Sequence, residues 1–376
     1  MPKHRTARQT LTLAAVASRR FDLLQHLTQQ AEAQLLPLIK EAIAAQLVIE
    51  ESAERFAFRH ALIRQAIYSD LLTRERKVLH RAVAEAMETV YADSLDAHLP
   101  DLAYHFYEAS AWDKAFDYAQ HAGEKAQALN APRAVIQQLT RTIEAAHQLS
   151  TAPASRLFRA RGQAYETLGD FQAALEDYTQ ALNAACEGHE AMAEWQGLID
   201  LGFLWAGRDY RQAGDYFQHA LELARAMNNP LILGHSLNRA GNWLANASRL
   251  EESLRAHREA LEIFRAQGHQ AGMAETLDLL GIANALAGDA ISAMRWSEQA
   301  LELFRALNDY RSLASSLAAR SMYGGAGYIV DVGLSALSTR ESCERDSTEA
   351  LHLARHPRSR GSPIRWPTLV ACWLPG

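Results

Sequence analysis

Fifteen histidines and forty-four acidic residues give this 376-residue chain ample titratable chemistry, so their spacing decides whether any of it is organised. A zinc peptidase needs two histidines one helical turn apart with a glutamate between them, and a serine hydrolase needs its nucleophile on a glycine-flanked elbow. Neither HExxH nor GxSxG occurs. His105, His121, His147, His219, His235 and His257 fall in helical patterns with no histidine or cysteine at the next turn. Phosphate chemistry needs a GxxxxGK[ST] loop between a strand and a helix, and none is present. GGAG at 324–327 lacks the lysine and reads as a turn. Cys186, Cys343 and Cys372 are odd in number and form no CxxC pair, which suggests neither a disulfide framework nor a zinc site. The sequence therefore predicts no catalytic residue, no metal and no cofactor.

A net charge of -6 gives no global attraction to nucleic acid or to an anionic membrane. No run approaches the roughly 18 apolar residues of a membrane span. The basic start, MPKHRTARQTLTLAAVASRR, has too short an apolar stretch for a secretory signal. The expectation is a soluble, cytoplasmic protein.

What the chain does organise is repetition. ALELARA at 220–226, ALEIFRA at 260–266 and ALELFRA at 300–306 are nearly one segment written three times. Looser copies put equivalent positions at 142, 181, 220, 260 and 300, spaced 39, 39, 40 and 40. Gly162, Gly202, Gly241 and Gly281 move in step. A helical period near forty indicates a solenoid of stacked helix pairs. Each glycine follows an apolar residue by four positions (Phe158, Leu198, Leu237, Leu277), so both lie on one stripe of a first helix. Connections at Gly169-Asp170, Gly207, Ser248 and Gly288-Asp289 lead to second helices carrying Ala174, Ala213, Ser253 and Ala293. Glycine inside a helix costs roughly 1 kcal/mol against alanine, so four in register imply close approach of a partner helix through residues such as Ala174 or Ala293.

The stretch FRARGQAYETLGDFQAALEDYTQAL (158–182) resembles the tetratricopeptide repeat, with its apolar, glycine, aromatic, small, aromatic, small order. Later copies replace aromatics with Leu244, Asn284, His257 and Ser297, and the period near forty is similar to the longer-helix, MalT-like units. The resemblance implies an all-α fold, a right-handed α-α superhelix of helix hairpins. The concave face of such a solenoid is its binding surface. Helical geometry aims the residues three before and one after each glycine at that face: Arg159 and Gln163, Ile199 and Phe203, Asn238 and Asn242, Asp278 and Ile282. A protein or peptide laid there is the expected partner, with Phe203 as anchor and Asn238 and Asn242 either gripping a peptide backbone or simply solvated.

Residues 9–90 read differently: three helical patterns, two short strand candidates (LVIEE and RFAFRH), then a long amphipathic helix from about Arg74 to Val90. Three helices and a hairpin make a small winged-helix domain. A DNA-associated regulator is the alternative function this allows. The third helix, residues 31–46, carries only Lys40 against Glu32 and Glu41, a poor match to the basic and amide side chains that groove readout requires. The cluster Arg74, Arg76, Lys77, His80 and Arg81 reads as a solvated face. The run from Phe56 to Thr89, followed by repeats, resembles the segment after the nucleotide-binding core of STAND-type signalling ATPases. That resemblance implies a sensor portion partnered by a separate ATPase domain. It also implies a phosphate-touching histidine, matched here by His60 between Arg59 and Ala61 where relatives have Met-His-Asp. The other reading of His60 is that it starts the following helix.

The domains expected are therefore 1–92 (winged-helix-like), 93–320 (solenoid), 321–355 (a degenerate or incomplete last repeat) and 356–376 (an irregular tail). The tail HPRSRGSPIRWPTLVACWLPG holds four of the ten prolines and no acid, as a shifted frame or a disordered end would. An incomplete last repeat leaves an uncapped apolar face prone to self-association. The function expected is a non-catalytic interaction or sensor module of a signalling or transcriptional regulator.

Overall fold

A computed structural model describes residues 2–17, 21–52, 55–326 and 348–349. Among them are seventeen α-helices, one 3-10 turn (Ala92–Ala97) and two strands. The fold is all-α apart from that hairpin, with helices in consecutive pairs, as the repeat pattern predicts. The chain forms two compact units, Met1–Leu168 and Gly169–Gly376.

The first unit opens with α1 (Pro2–Ala17), α2 (Phe21–Thr28) and α3 (Glu32–Ala44), followed by β1 (Val48–Ser52) and β2 (Arg55–Phe58). The strands pair antiparallel, Val48 with Phe58 and Glu50 with Phe56, and their register shifts between Glu50 and Ser52. β-branched residues facing aromatics suit such a pair. This is the element order expected of residues 9–60. Then come α4 (Ala61–Ser69) and α5 (Thr73–Val90). The start of α5 is fixed by Glu75, whose Oε2 accepts the Leu72 N–H at 2.8 Å, satisfying one of the donors a helix N-terminus leaves open. Its inner face, Val83, Ala84 and Met87, joins Leu23, Leu35, Leu102 and Phe106 in one apolar cluster. Thus α5 ties the N-terminal helices to α6 (Leu99–Glu108), which α7 (Trp112–Ala128), α8 (Pro132–Gln148) and α9 (Ser155–Thr167) follow.

One reading of this region is corrected. His80 is not on a solvated face but 1% exposed. Its Nδ1 lies 2.9 Å from the Nδ1 of His105 on α6, and its Nε2 lies 3.0 Å from the Tyr68 hydroxyl on α4. Alternate basic residues on an amphipathic helix conceal the one that points inward. Burial, with Arg64 and Arg76 adding to it, lowers the His80 pKa to about 4. Burial first, then the neighbouring His80 and Arg64, lowers that of His105 to about 3.

Among the described residues the second unit runs through eight helices: α10 (Phe171–Glu187), α11 (Ala191–Ala206), α12 (Tyr210–Ala226), α13 (Pro230–Asn246), α14 (Leu250–Ala266), α15 (Gln270–Leu286), α16 (Ala290–Ala306) and α17 (Tyr310–Ala326). Two-residue signals end one helix and start the next. Gly288 adopts φ 81°, a left-handed conformation that costs glycine nothing, and the Asp289 side chain then accepts the Ser292 N–H at 3.0 Å. Asn228-Asn229 and Asn308-Asp309 repeat the device with asparagine in the left-handed position. Gly324 and Gly325 do not form the expected turn; they prolong α17 to Ala326, glycine being tolerated in a last turn. The 350–355 segment and the 356–376 tail, with Cys343 and Cys372, lie outside the described residues.

The periodic small residues are core. Ala181, Ala220, Ala260 and Ala300 are each at most 3% exposed, and Ala174, Ala213, Ser253 and Ala293 are fully buried. Gly162, Gly202, Gly241 and Gly281 all lie inside helices, on α9, α11, α13 and α15, and all are buried. In the second unit what seats against them is chiefly a side chain from the following helix, rather than the alanine positions expected: the Phe217 ring on Gly202, the His257 ring on Gly241 and the Ser297 hydroxyl on Gly281. Gly281 alone also has the Ala293 carbonyl nearby, 3.3 Å from where a β-carbon would stand. Three further glycines do the same work. Trp243 lies on Gly214, and Phe264 is held between Gly234 and Gly272. Complete burial of Phe264 contributes roughly 2–3 kcal/mol, and its replacement by alanine would open a void against two helices at once.

Candidate functional site

The first helices of successive pairs, α11, α13, α15 and α17, are bonded to one another through side chains. Trp195 Nε1 donates to Ser236 Oγ at 2.7 Å, Asn238 Nδ2 to Thr276 Oγ1 at 2.8 Å, and Ser316 Oγ to Asp278 Oδ1 at 2.5 Å. The partners are separated by 41, 38 and 38 residues, one repeat each. Buried polar groups require such partners, so these three bonds fix how each first helix lies on the next.

Beside this row is a cluster that spans three first helices. Phe203 on α11 is half-buried, its ring edge-on to Phe217 at 5.5 Å, and the guanidinium of Arg239 on α13 stands over it at 5.4 Å. Arg239 in turn pairs with Glu275 on α15, and the Nδ1 of His235 lies 3.6 Å from the same carboxylate. Burial, and secondarily Arg239, lowers the His235 pKa, so His235 meets Glu275 as a neutral imidazole at neutral pH. An aromatic face, a guanidinium and a carboxylate, all partly exposed, form a patch that can stack on an apolar side chain and hydrogen-bond a backbone. None of them is arranged as a nucleophile with a base.

The predicted lining residues divide. Phe203, Asn242 and Asp278 are partly exposed on the first-helix row. Arg159 and Gln163 are partly exposed on α9, in the other unit. Asn238 is 0% exposed, and Ile199 and Ile282 are each 5% exposed, so these three are not groove residues. The Asn238 amide is spent internally, on Thr276 and on His257, whose Nδ1 lies 3.3 Å from Asn238 Oδ1. Burial pushes the Asp278 carboxyl up to about 6, partly offset by the Ser316 hydroxyl. His60 is exposed and occupies the residue before α4, with extended backbone and no side-chain capping bond. Sequence reasoning missed Arg239, Glu275 and His235 as a group. The available signal was that they recur one turn apart or about one repeat apart, at 235, 239 and 275.

Among the described residues no helix is long and apolar enough to cross a membrane, and no group of three His, Cys, Asp or Glu is placed to hold a metal ion.

Comparison with known proteins bears on the repeats. One tetratricopeptide-repeat family model matches residues 233–306 and another matches 160–185. No curated protein matches the chain. Similar solved structures include a Signal Transduction ATPase with Numerous Domains (STAND) protein with a tetratricopeptide repeat sensor from Pyrococcus horikoshii, at TM-score 0.48 and 15% identity over 96% of this chain and 58% of that one. BtubC from P. vanneervenii aligns at TM-score 0.46 and 18% identity over 65% of this chain and 93% of its own. The apo form of RapI does so at 0.45 and 13%, over 75% and 94%. The chain thus spans less than two thirds of the length of the first of these. The matched stretch 233–306 holds Phe264 together with the two glycines, Gly234 and Gly272, that seat it: this chain carries tetratricopeptide repeats.

Proposed function

We propose that the second unit is a non-catalytic recognition module that takes a protein segment along the row of first helices, with Phe203, Arg239 and Glu275 as its contact. The observation that carries this reading is the bridging of three consecutive first helices by partly exposed side chains of three different chemistries. Asn242 and Asp278 extend the same row. An extended peptide or one face of a helix has the length to touch all three helices, which a small metabolite does not.

Residues 1–92, with the helix and hairpin order of a winged helix, and residues 93–320, with repeats, together support a sensor portion of a STAND-type regulator acting with a separate ATPase in the cytoplasm. The missing phosphate loop in the sequence supports a separate source for that activity, and the exposure of His60 before α4 is compatible with a contact to it.

The test is site-specific photo-crosslinking in cells. A benzophenone amino acid at position 203 should capture one discrete partner, and the same probe at Glu222, exposed on the second helix α12, should not. Equal capture from both positions would overturn the reading.

A further inference from the structure

The first unit holds a partly open pocket of about 400 Å3 between α1, α3, the hairpin and the start of α4. Close-packed interiors leave few voids larger than one water, whereas this space would hold about a dozen waters at roughly 30 Å3 each. Its size falls among pockets that enclose small molecules. Leu24, Ile39, Val48 and Ala57 line it, each less than a tenth exposed. Leu11 and Phe56 add to an apolar wall, which offers water almost no hydrogen bonds. The space favours an apolar occupant.

Three polar side chains interrupt the wall: Thr10, Glu41 and Arg64. Glu41 and Arg64 are solvent-exposed and therefore border the open side. Arg64 is the single cation of the lining. Its Nε donates to the Ala15 carbonyl at 2.9 Å, which anchors the guanidinium by one edge; among the described residues nothing accepts from its terminal nitrogens, a fork suited to a carboxylate. Glu41 is the single acid, and among the described residues no ion pair joins it to Arg64.

We propose that this cavity binds a small apolar carboxylic acid, its carboxylate on Arg64 and its body against Leu24, Ile39, Val48 and Phe56. A fatty acid and an apolar α-amino acid share this chemistry. Glu41 separates them, because only the amino acid brings an ammonium to meet it.

Calorimetric titration of the full chain with octanoate and with L-phenylalanine tests the site, with 1-octanol as the neutral control. At least one acid should bind saturably, one per chain, and at least tenfold more tightly than octanol. Arg64→Gln should weaken it roughly tenfold or more, as loss of a charge-assisted pair does. Ala42→Leu, which fills the cavity from α3, should abolish binding while circular dichroism and the thermal midpoint are kept. Glu41→Gln should weaken phenylalanine and leave octanoate unchanged. Failure of both acids to bind, octanol binding as well as octanoate, or acid binding that survives Ala42→Leu would each overturn the assignment. The last two comparisons stand even where Arg64→Gln fails to fold.

Discussion

The Phe217 ring covers Gly202 so closely that no β-carbon fits between α11 and α12. Gly202→Ala should therefore destabilise the protein by about 1–3 kcal/mol through overpacking, even though alanine is the better helix former by roughly 1 kcal/mol. Gly281→Ala meets mainly the Ser297 hydroxyl, which can rotate, and should cost less. On a Phe217→Ala background Gly202→Ala should cost nothing. Urea midpoints of the four variants check this, and equal losses for Gly202→Ala and Gly281→Ala would contradict it.

Acid should destabilise the chain through its interior histidines. Burial holds His80 at about 4, and His105 and His257 at about 3, all below their ordinary 6.5. The unfolded chain takes up these protons below pH 6.5 and the folded chain does not. Stability is therefore full above about 6.5 and falls as pH drops toward the folded values, by up to about 1.4 kcal/mol per pH unit for each histidine. His257→Phe, which restores an aromatic against Gly241, should make the decline between pH 6 and 4.5 shallower by one proton's worth, measured by denaturation across that range.

Asp278 works in the opposite sense. Its folded pKa of about 6 lies above the ordinary 3.8, so its contribution is most favourable below pH 3.8 and is lost as pH rises through 6. At pH 7 the ionised carboxylate is a net cost. Asp278→Asn should stabilise the protein at pH 7 by about 1–2 kcal/mol, allowing for the partly exposed position, and should make no difference near pH 4. Thermal midpoints at the two pH values read this directly.

Asn238→Ala should act on stability and not on recognition. It strips Thr276 and His257 of a buried partner, a loss of about 1–3 kcal/mol, while partner capture per folded molecule stays as in the parent. Phe203→Ala should reverse the pattern, reducing capture with a smaller change in stability.

The repeat itself was legible because size alone reveals it. Positions 142, 181, 220, 260 and 300 must be small or slender in every copy, and every one is buried. Which group lies against each glycine was not legible, since Phe217, His257 and Ser297 differ in everything except location, and a helix crossing selects location. The groove assignment failed at Asn238 for a related reason. Helical arithmetic gives the direction a side chain leaves its axis, yet the next first helix covers part of that direction, and only packing shows how much. Phe203 and Asn242, one residue past their glycines, escape that cover.

The bonds Trp195 to Ser236, Asn238 to Thr276 and Asp278 to Ser316 carry a consequence for modularity. Each junction speaks a different chemical dialect: an indole with a hydroxyl, an amide with a hydroxyl, a carboxylate with a hydroxyl. The hairpins share one silhouette but are not interchangeable parts. Transposing α13–α14 with α15–α16 would preserve every small residue of the period and still leave mismatched neighbours at each seam, so the order of units is written into the molecule as firmly as their shape.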